Sequence, residues 1–415
     1  MRIDAEAFAA DLDALAQIGA TDDGGIDRSC FNDAHLAARA WFLERARRGG
    51  LRTTVDAAGN HSARLGTGDP TVLLGSHLDS VPNGGRFDGA LGVVAALHAL
   101  LAAADAAPPL ALEAIDFTDE EGTLVGLLGS EALAGTLAPE ALRAPRGGRE
   151  ALLAGLARAG LHEGDLRRAR RAPGQIEAYL ELHIEQGPVL ERVGAQIGVV
   201  TGIVGARSFS LTFSGRAGHA GTTPMSERRD AGLAAAAFAL AAEQLVGAEF
   251  PGAVATVGRL ELAPGAFNVI PGRAELALEF RAADARTLDG LERALLERAH
   301  AEAEARGATV AAQPVGHWPP TPLDGGVCDV VERAAARLGL DSLRMASGAG
   351  HDAQALAGLT AAGMVFVPSL GGISHDPREL TTPAACLDGA SVLLEAALEL
   401  AGAPSRTAPA TRPQG

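Results

Sequence analysis

Apolar segments of two lengths alternate through the first 200 residues, and this alternation limits the folds that the chain can adopt. Residues 71–75 and 110–117 have the length of buried strands, whereas residues 34–48 and 89–103 have the length and pattern of helices. Strands that alternate with helices predict an α/β sheet with helices on both faces. In such a sheet, ligand sites lie at the carboxyl ends of the strands. The residues that follow each predicted strand are therefore the first candidates for chemistry.

A different pattern occupies the middle of the chain. The order of the predicted elements there is β-α-β-β-α-β, which is that of a ferredoxin-like domain. The predicted strands are residues 208–214, 253–262, 273–281 and 309–314, and the predicted helices are residues 227–245 and 287–306. We therefore expect a discontinuous larger domain, residues 1–205 and 316–403, with residues 206–315 inserted into it. Residues 404–415 are rich in Pro, Ala and Thr and are expected to be a disordered tail.

The composition argues against several classes of function. The formal net charge is −16, from 35 basic and 51 acidic residues, and no block of Lys and Arg suggests a nucleic-acid groove. The three cysteines form no CxxC pattern, which argues against a disulfide scaffold. The acidic N-terminus does not resemble a signal peptide, and Ala-rich stretches such as residues 231–245 lack an uninterrupted apolar run of membrane-spanning length. We expect a soluble cytoplasmic protein without nucleic acid or membrane as a partner.

The first candidate site residues follow the strand at residues 71–75. His77 and Asp79 are two positions apart, so their side chains point the same way. A metal-bound imidazole needs an acceptor for its second nitrogen, and Asp79 is placed to provide one. Asp88 follows in a Gly-rich loop before a helix, where a carboxylate can bridge two cations. Taken one at a time, these are also ordinary loop residues.

Two adjacent carboxylates follow the next predicted strand. Glu120 and Glu121 come directly after residues 110–117, at the carboxyl edge of the predicted sheet. Adjacent carboxylates repel each other unless a cation or a shared proton relieves the repulsion. One of them can bind a metal while its neighbour takes a proton from the attacking water. An acidic surface turn is the ordinary alternative.

Two further histidines complete a possible metal site. His183 lies on the polar face of a predicted strand, and His375 lies in a loop after another. Each alone would be an ordinary structural residue. Together with His77, Asp88 and Glu121 they supply two nitrogen-and-oxygen ligand sets that share a carboxylate. Without a cysteine ligand, the sets suit two divalent ions, Zn, Mn, Co or Ni, rather than a structural zinc.

Seven motifs occur in an order that points to a known family. They are GSHLD at residues 75–79, DEEG at 119–122, LELHIEQGP at 180–188, AGHAGTTPM at 217–225, NVIPG at 268–272, SGAGHD at 347–352 and GISH at 372–375. Over roughly residues 8–400, the chain resembles the M20 metallopeptidase-related amidases of the hydantoinase/carbamoylase type. The nearest members are N-carbamoyl-L-amino-acid hydrolases, with allantoate amidohydrolases and β-ureidopropionases close by.

The resemblance implies an α/β, di-metal aminopeptidase-like catalytic domain. The inserted ferredoxin-like domain would be a lid and the interface of a homodimer. One metal ion would be bound by His77, Asp88 and His183. The other would be bound by Asp88, Glu121 and His375.

The resemblance also assigns substrate residues. The family's substrate residues correspond here to Gln186, His219, Asn268 and Arg281. In the family, the histidine that corresponds to His219 reaches the site of a neighbouring subunit. Arg281 ends a predicted strand and can hold a carboxylate with two parallel hydrogen bonds. His219, in a Gly-rich loop, can stabilise the oxyanion of a tetrahedral intermediate. Each of the four is also explained as an ordinary turn or strand-end residue.

One departure from the family pattern lies beside the base. By resemblance, Glu120 would be the general base and Asp79 the partner of His77. Family members usually carry an Arg-Phe pair shortly after the Glu-Glu-Gly motif. Here Gly122 is followed by TLVGLLGS at residues 123–130, which lacks that pair and is about two residues shorter. The predicted metal ligands are unaffected, whereas the choice of substrate stays open.

The candidate site predicts a metal-dependent hydrolase, and the resemblance implies an amidohydrolase that cleaves the carbamoyl amide of N-carbamoyl-L-amino acids to amino acid, carbon dioxide and ammonia. Its substrate would be a small ureido or amide compound that carries a carboxylate. Alternatives in the same class are allantoate, N-carbamoyl-β-alanine, and N-acyl amino acids or dipeptides. The alternative in another class is a dimeric binding or regulatory protein without catalysis, against which the full ligand set and Glu120 argue.

Overall fold

The structure is a computed structural model, and it describes residues 1–402. The chain divides into two compact units, one formed by Met1–Thr201 with Pro322–Gly415 and the other by Gly202–Thr321. The second unit begins four residues before, and ends six residues after, the inserted domain proposed from the sequence. The tail predicted at residues 404–415 lies outside the described residues.

The secondary structure alternates between helices and strands along most of the chain. The helices are α1 (Ala5–Ala16), α2 (Asp33–Arg48), α3 (Ala90–Ala103), α4 (Leu128–Ala134), α5 (Pro139–Arg143), α6 (Arg149–Arg158), α7 (Val189–Val193), α8 (Ala231–Glu249), α9 (Ala285–Glu304), α10 (Gly325–Arg337), α11 (Asp352–Leu356) and α12 (Pro383–Leu400). The strands are β1 (Arg52–Val55), β2 (His61–Leu65), β3 (Thr71–His77), β4 (Ala111–Phe117), β5 (Ile176–Ile184), β6 (Ile197–Ile203), β7 (Gly205–Ser214), β8 (Gly218–His219), β9 (Val254–Ala263), β10 (Val269–Ile270), β11 (Arg273–Ala282), β12 (Thr309–Trp318), β13 (Thr321–Pro322), β14 (Ser342–Ser347) and β15 (Ala361–Val367).

The first unit is built on a mixed sheet with the order β1-β2-β4-β3-β5-β15-β6-β13, and β14 pairs with β6. Its centre, β4-β3-β5-β15, is parallel. Every residue of β3 and β4 is buried, as expected of central strands that are covered on both faces. One pair of helices, α3 and α12, packs on β3 and β5, and a second pair, α4 and α11, packs on β4 and β5. The predicted α/β class is confirmed.

The parallel strands end at one edge of this sheet. The last residue is His77 in β3, Phe117 in β4, Ile184 in β5 and Val367 in β15. Helix α3 can pack closely on these strands because of Gly92, where a Cβ would lie 2.3 Å from the carbonyl oxygen of Leu182. Gly92 therefore lets α3 lie directly against β3 and β5, the strands that carry His77 and His183.

The second unit has a four-stranded antiparallel sheet with the order β12-β7-β11-β9. In β11, buried residues alternate with partly exposed ones, so Ala274, Leu276, Leu278 and Phe280 face the core. Helices α8 and α9 pack on each other and on this face. A short ribbon, β8 paired with β10, precedes β11.

Helix α8 is the one helix within residues 1–402 that has the length and composition to cross a membrane. The core helix of a soluble protein passes the same test. Here α8 packs against β7, β9 and β11 of its own unit.

Two predicted boundaries were wrong. Strand β12 continues to Trp318, although Pro314 was expected to end it. Pro314 lies at a bulge of an edge strand, where its missing N–H group is tolerated. Helix α8 begins at Ala231 rather than at residue 227, because the side chain of Asp230 accepts the N–H of Leu233 and caps the helix.

Candidate metal centre

Five predicted ligand residues of the first unit lie where its parallel strands end. His77 is the last residue of β3, and His183 is the second-last residue of β5. Glu121 follows β4 by four residues, and His375 follows β15 by eight. Asp88 lies in the loop between β3 and α3. Segments far apart in sequence therefore bring two carboxylates and three imidazoles to one edge of the sheet.

The carboxylate of Asp88 is shared by two ligand groups. Its Oδ1 lies 3.6 Å from Nε2 of His77 and 3.1 Å from Nε2 of His183. Its Oδ2 lies 3.3 Å from Nε2 of His375, which is 3.5 Å from Oε2 of Glu121. Asp88 therefore presents one oxygen to each group, as a bridging ligand does.

These distances test whether the residues fit a metal ion. Zinc binds imidazole nitrogen and carboxylate oxygen at about 2.0–2.2 Å, so tetrahedral ligand atoms lie about 3.4 Å apart. The distances from 3.1 to 3.6 Å around Asp88 bracket that value. Both groups, His77 with Asp88 and His183, and Asp88 with Glu121 and His375, fit one divalent cation each.

A further group of potential ligands, Glu181, His183 and His351, shares His183 with the first group. Nδ1 of His183 donates to the carbonyl oxygen of Ile184 at 2.9 Å, which leaves Nε2 as its ligand atom. That nitrogen already faces Asp88. The further group therefore competes for the same nitrogen and adds no independent cation site.

The pKa values of this site reflect attraction between histidines and Asp88 and repulsion among the carboxylates. Burial raises the pKa of Asp88, but hydrogen bonds from His183 and His375 outweigh it and hold the pKa well below its usual range. Burial lowers the pKa of His183, but its hydrogen bond to Asp88 raises that pKa to about 9. Burial, followed by the charge of a neighbouring carboxylate, raises the pKa of Glu120 and of Glu121 well above the usual range. Cations bound at this edge would relieve the repulsion among these carboxylates.

The partner of His77 differs from the expected one. Nδ1 of His77 lies 2.9 Å from the carbonyl oxygen of Asp79, whereas the Asp79 carboxylate is 4.0 Å away. That carboxylate instead accepts the N–H groups of Glu120 and Glu121, each at 3.2 Å. The chain turns after β3 rather than continuing as a strand, so the side chain of Asp79 reaches the next loop. Asp79 therefore supports the main chain of both glutamates.

Glu120 and Gln186 lie within this centre. Oε2 of Glu120 is 3.6 Å from Nε2 of His77, so the predicted base adjoins the first ligand group. Nε2 of Gln186 donates to Oδ2 of Asp88 at 2.9 Å and to Oγ of Ser374 at 3.2 Å. Gln186 has a φ of 59°, a strained conformation for a residue other than glycine.

The other predicted substrate residues belong to the second unit. His219 ends β8 and pairs with Val269 of β10, and the carbonyl oxygen of Asn268 accepts the N–H of Ala220. The ribbon therefore brings His219 and Asn268 together. Arg281 lies near the other end of β11, where its Nη2 contacts Oε1 of Glu279 at 2.7 Å.

Comparison with known proteins identifies the family. Residues 73–399 match the model of peptidase family M20/M25/M40. The chain belongs to that family. An N-carbamoyl-L-amino acid amidohydrolase of Geobacillus stearothermophilus is 39% identical over 394 residues, which cover 93% of this chain and 96% of the relative. An allantoate amidohydrolase of Bacillus subtilis is 34% identical over 380 residues, covering 89% of this chain and 92% of the relative.

Solved structures agree with this M20-family membership. A hydantoinase/carbamoylase family amidase from Burkholderia ambifaria superposes with a TM-score of 0.89 at 37% identity, covering 98% of this chain and 99% of that one. The resemblance drawn from the sequence motifs is confirmed.

Two supports of this M20-family centre were missed from the sequence. Asp119, with a φ of 56°, accepts the N–H groups of Leu124, Val125 and Gly126 and so closes the short loop after Glu121. Its place before the two glutamates was the only signal in the sequence.

The second support holds the peptide groups of Leu78, which follows His77. Asp116 accepts the Leu78 N–H at 2.8 Å and pairs with Nε of Arg39 at 3.0 Å. Nε of Arg28 donates to the Leu78 carbonyl oxygen at 2.9 Å. Both arginines are fully buried, a property that no local pattern in the sequence reveals.

Proposed function

We propose that this protein hydrolyses the carbamoyl amide of N-carbamoyl-L-amino acids. One water molecule converts R–NH–CO–NH₂ into R–NH₂, carbon dioxide and ammonia. The observation that carries the proposal is the Asp88 carboxylate, which divides its two oxygens between two nitrogen-and-oxygen ligand groups beside Glu120. Support comes from relatives named N-carbamoyl-L-amino-acid amidohydrolases that align with most of the chain.

Two divalent cations are part of the proposal. His77, Asp88 and His183 would hold one, and Asp88, Glu121 and His375 would hold the other. The neutral-nitrogen and carboxylate donors suit Zn, Mn, Co or Ni. When bound, such cations polarise a carbonyl oxygen and make water more acidic.

Residues of the chain would move the proton. Glu120 takes a proton from the attacking water and returns it to the leaving nitrogen, and its place beside His77 supports this role. His219 donates to the oxygen on which negative charge develops. Nδ1 of His219 accepts the N–H of Gly221 at 3.1 Å, so the neutral ring carries its proton on Nε2, where it can be donated.

The substrate carboxylate would be gripped by Arg281 and Asn268, with Gln186 orienting the substrate next to Asp88. Arg281 already holds a carboxylate, that of Glu279, through Nε at 2.9 Å and Nη2 at 2.7 Å. Substrate binding would exchange this exposed ion pair for one with the ligand, and such a pair costs little to break.

The second unit would be a ferredoxin-like lid and the interface of a homodimer. Arg273 adjoins the ribbon that carries His219, and Arg281 lies eight residues further along β11. At about 3.4 Å per residue, the two ends of this span are about 27 Å apart. A single small substrate cannot contact both ends of this span, so Arg281 and the ribbon of one copy would serve different sites. In keeping with the resemblance, we infer that His219 and Asn268 serve the site of a partner copy.

The surface of the second unit supports such an interface. Leu233 and Leu240 of α8 are exposed, as are Leu260 and Leu262 of β9. β9 is the edge strand next to β11, with its outer hydrogen-bonding groups unpaired among the described strands. Pairing of two β9 edges would cover these groups and leucines at once.

The test measures ammonia release from a panel of N-carbamoyl-L-amino acids after treatment with a chelator and after addition of single cations. We expect turnover that the chelator abolishes and a divalent cation restores. Allantoate, N-carbamoyl-β-alanine, N-acyl amino acids and dipeptides belong in the same panel, since a relative is named allantoate amidohydrolase. Absence of metal-dependent turnover on every ureido compound would refute the proposal. A binding protein without catalysis would show no turnover in the wild type and no change in Glu120→Gln.

A further inference from the structure

One buried carboxylate outside the predicted ligand set joins two loops of the metal centre. Glu379 follows His375 by four residues and is 4% exposed. Its Oε1 accepts the N–H groups of Phe87 and Asp88, at 3.0 and 3.1 Å. Its Oε2 accepts the hydroxyl of Ser374 at 2.9 Å. The same side chain therefore holds the loop of Asp88 and the loop of His375.

The relative position of the two loops depends on tertiary contacts such as this one, because the loops are remote in sequence. Asp88 and Glu379 are 291 residues apart. Ser374 directly precedes His375, whose φ of 56° lies in the left-handed region. A strained residue keeps such a conformation only where its surroundings impose it. The hydrogen bond from Ser374 to Glu379 is one such constraint.

The fold leaves room for Glu379 at a glycine. A Cβ placed on Gly85 would lie 2.0 Å from both Cδ and Oε1 of Glu379. No side chain can occupy that position while the carboxylate keeps its place. Gly85 thus offers a second way to displace Glu379 without removing it.

We propose that Glu379 is a positioning residue that sets the placement of His375 relative to the shared carboxylate of Asp88. It touches neither substrate nor cation and acts through the main chain of Asp88 and the hydroxyl of Ser374. Its loss would weaken the group formed by Asp88, Glu121 and His375 more than the group that contains His77 and His183. The inference rests on the proposed two-cation function.

The test is calorimetric titration of the metal-free protein with Zn²⁺ and, separately, Mn²⁺. We expect two equivalents in the wild type. In Glu379→Ala one of the two equivalents should lose about 10–100-fold in affinity while the other changes less, the usual effect of removing a residue that orients a metal ligand. Gly85→Ala should reproduce this loss. Glu379→Gln should stay close to the wild type, because its amide oxygen still accepts both N–H groups and its NH₂ group can donate to Ser374.

Glu395→Ala is the matched control. Glu395 lies in α12, is 8% exposed and contacts Arg337 at 3.9 Å. This variant should bind both equivalents with wild-type affinity even if its thermal stability falls. If Glu379→Ala does not fold, Gly85→Ala decides the question.

Three results would overturn the inference. One is wild-type affinity for both equivalents in Glu379→Ala or Gly85→Ala, and another is a loss in Glu379→Gln as large as that in Glu379→Ala. The third is an equal loss in Glu395→Ala. If the wild type itself takes up no cation, the proposed function fails and the inference fails with it. If the wild type binds two equivalents and the variants bind them with unchanged affinity, the inference fails while the proposed function stands.

Discussion

His219→Ala in one protomer and Arg281→Ala in its partner test whether each active site combines residues of two chains. Each variant alone should be strongly impaired. Loss of an oxyanion donor, the role proposed for His219, lowers kcat by about 10²–10³-fold. Loss of the hydrogen bonds from Arg281 to a carboxylate costs about 1.5–3 kcal/mol, which is about 10–150-fold in kcat/KM.

The geometry of the second unit sets the expected recovery. Because Arg281 lies about 27 Å along β11 from Arg273, which adjoins the ribbon of His219, we expect that one copy cannot place both on the same substrate. In the mixed dimer, one site then combines an intact Arg281 with an intact His219 from the other chain. The second site lacks both. The mixed dimer should therefore have about half of the wild-type activity, as two-fold symmetry requires.

The assay co-expresses the two variants with different affinity tags, and sequential purification isolates the mixed dimer. Ammonia release from an N-carbamoyl amino acid is then measured with saturating cation. Arg281→Ala paired with Glu120→Gln is the control. Both of these residues would serve the site of their own chain, so that mixed dimer should stay inactive.

A mixed dimer of His219→Ala and Arg281→Ala that is no more active than its parents would refute the reasoning. That result would mean that both residues act within one chain. Recovery in the control pair would equally contradict it, because Glu120 would then not share a site with Arg281 of the same chain.

Other predictions concern the cations, the interface and one partly buried glutamate. Asp88→Ala should lose both cations on metal analysis and His375→Ala only one, and equal losses would contradict a shared carboxylate. Leu240→Asp on the exposed face of α8 should convert a dimer into a monomer on size-exclusion chromatography with light scattering, and an unchanged dimer would exclude that face. Burial raises the pKa of Glu131 from 4.5 to about 7, so ionisation of Glu131 destabilises the folded protein as pH rises across this range. Glu131→Gln and the wild type should therefore differ little below pH 4.5 in urea unfolding, with the variant more stable above pH 7. A difference that does not change with pH would contradict this cause.

Local sequence patterns were sufficient for the α/β class and for the choice of candidate ligands. Apolar runs such as residues 110–117 have the length of a strand. The residues directly after them include potential metal ligands such as Glu121, which a turn by itself does not need. The structure brings His77, Asp88, Glu121 and His375 to one edge of the sheet, as expected when parallel strands end together. Periodicity within a short window carries this information because it reports which face of an element is buried.

The tertiary structure alone decided how those residues are supported. The sequence placed the carboxylate of Asp79 against His77, but the turn after β3 directs it to the N–H groups of Glu120 and Glu121. The contact between Glu379 and the Asp88 loop spans 291 residues. Such contacts depend on the packing of whole elements, so no short window of sequence contains them. Candidate ligands could be chosen from the sequence because the ends of parallel strands converge. The residues that support them became visible only in the folded chain.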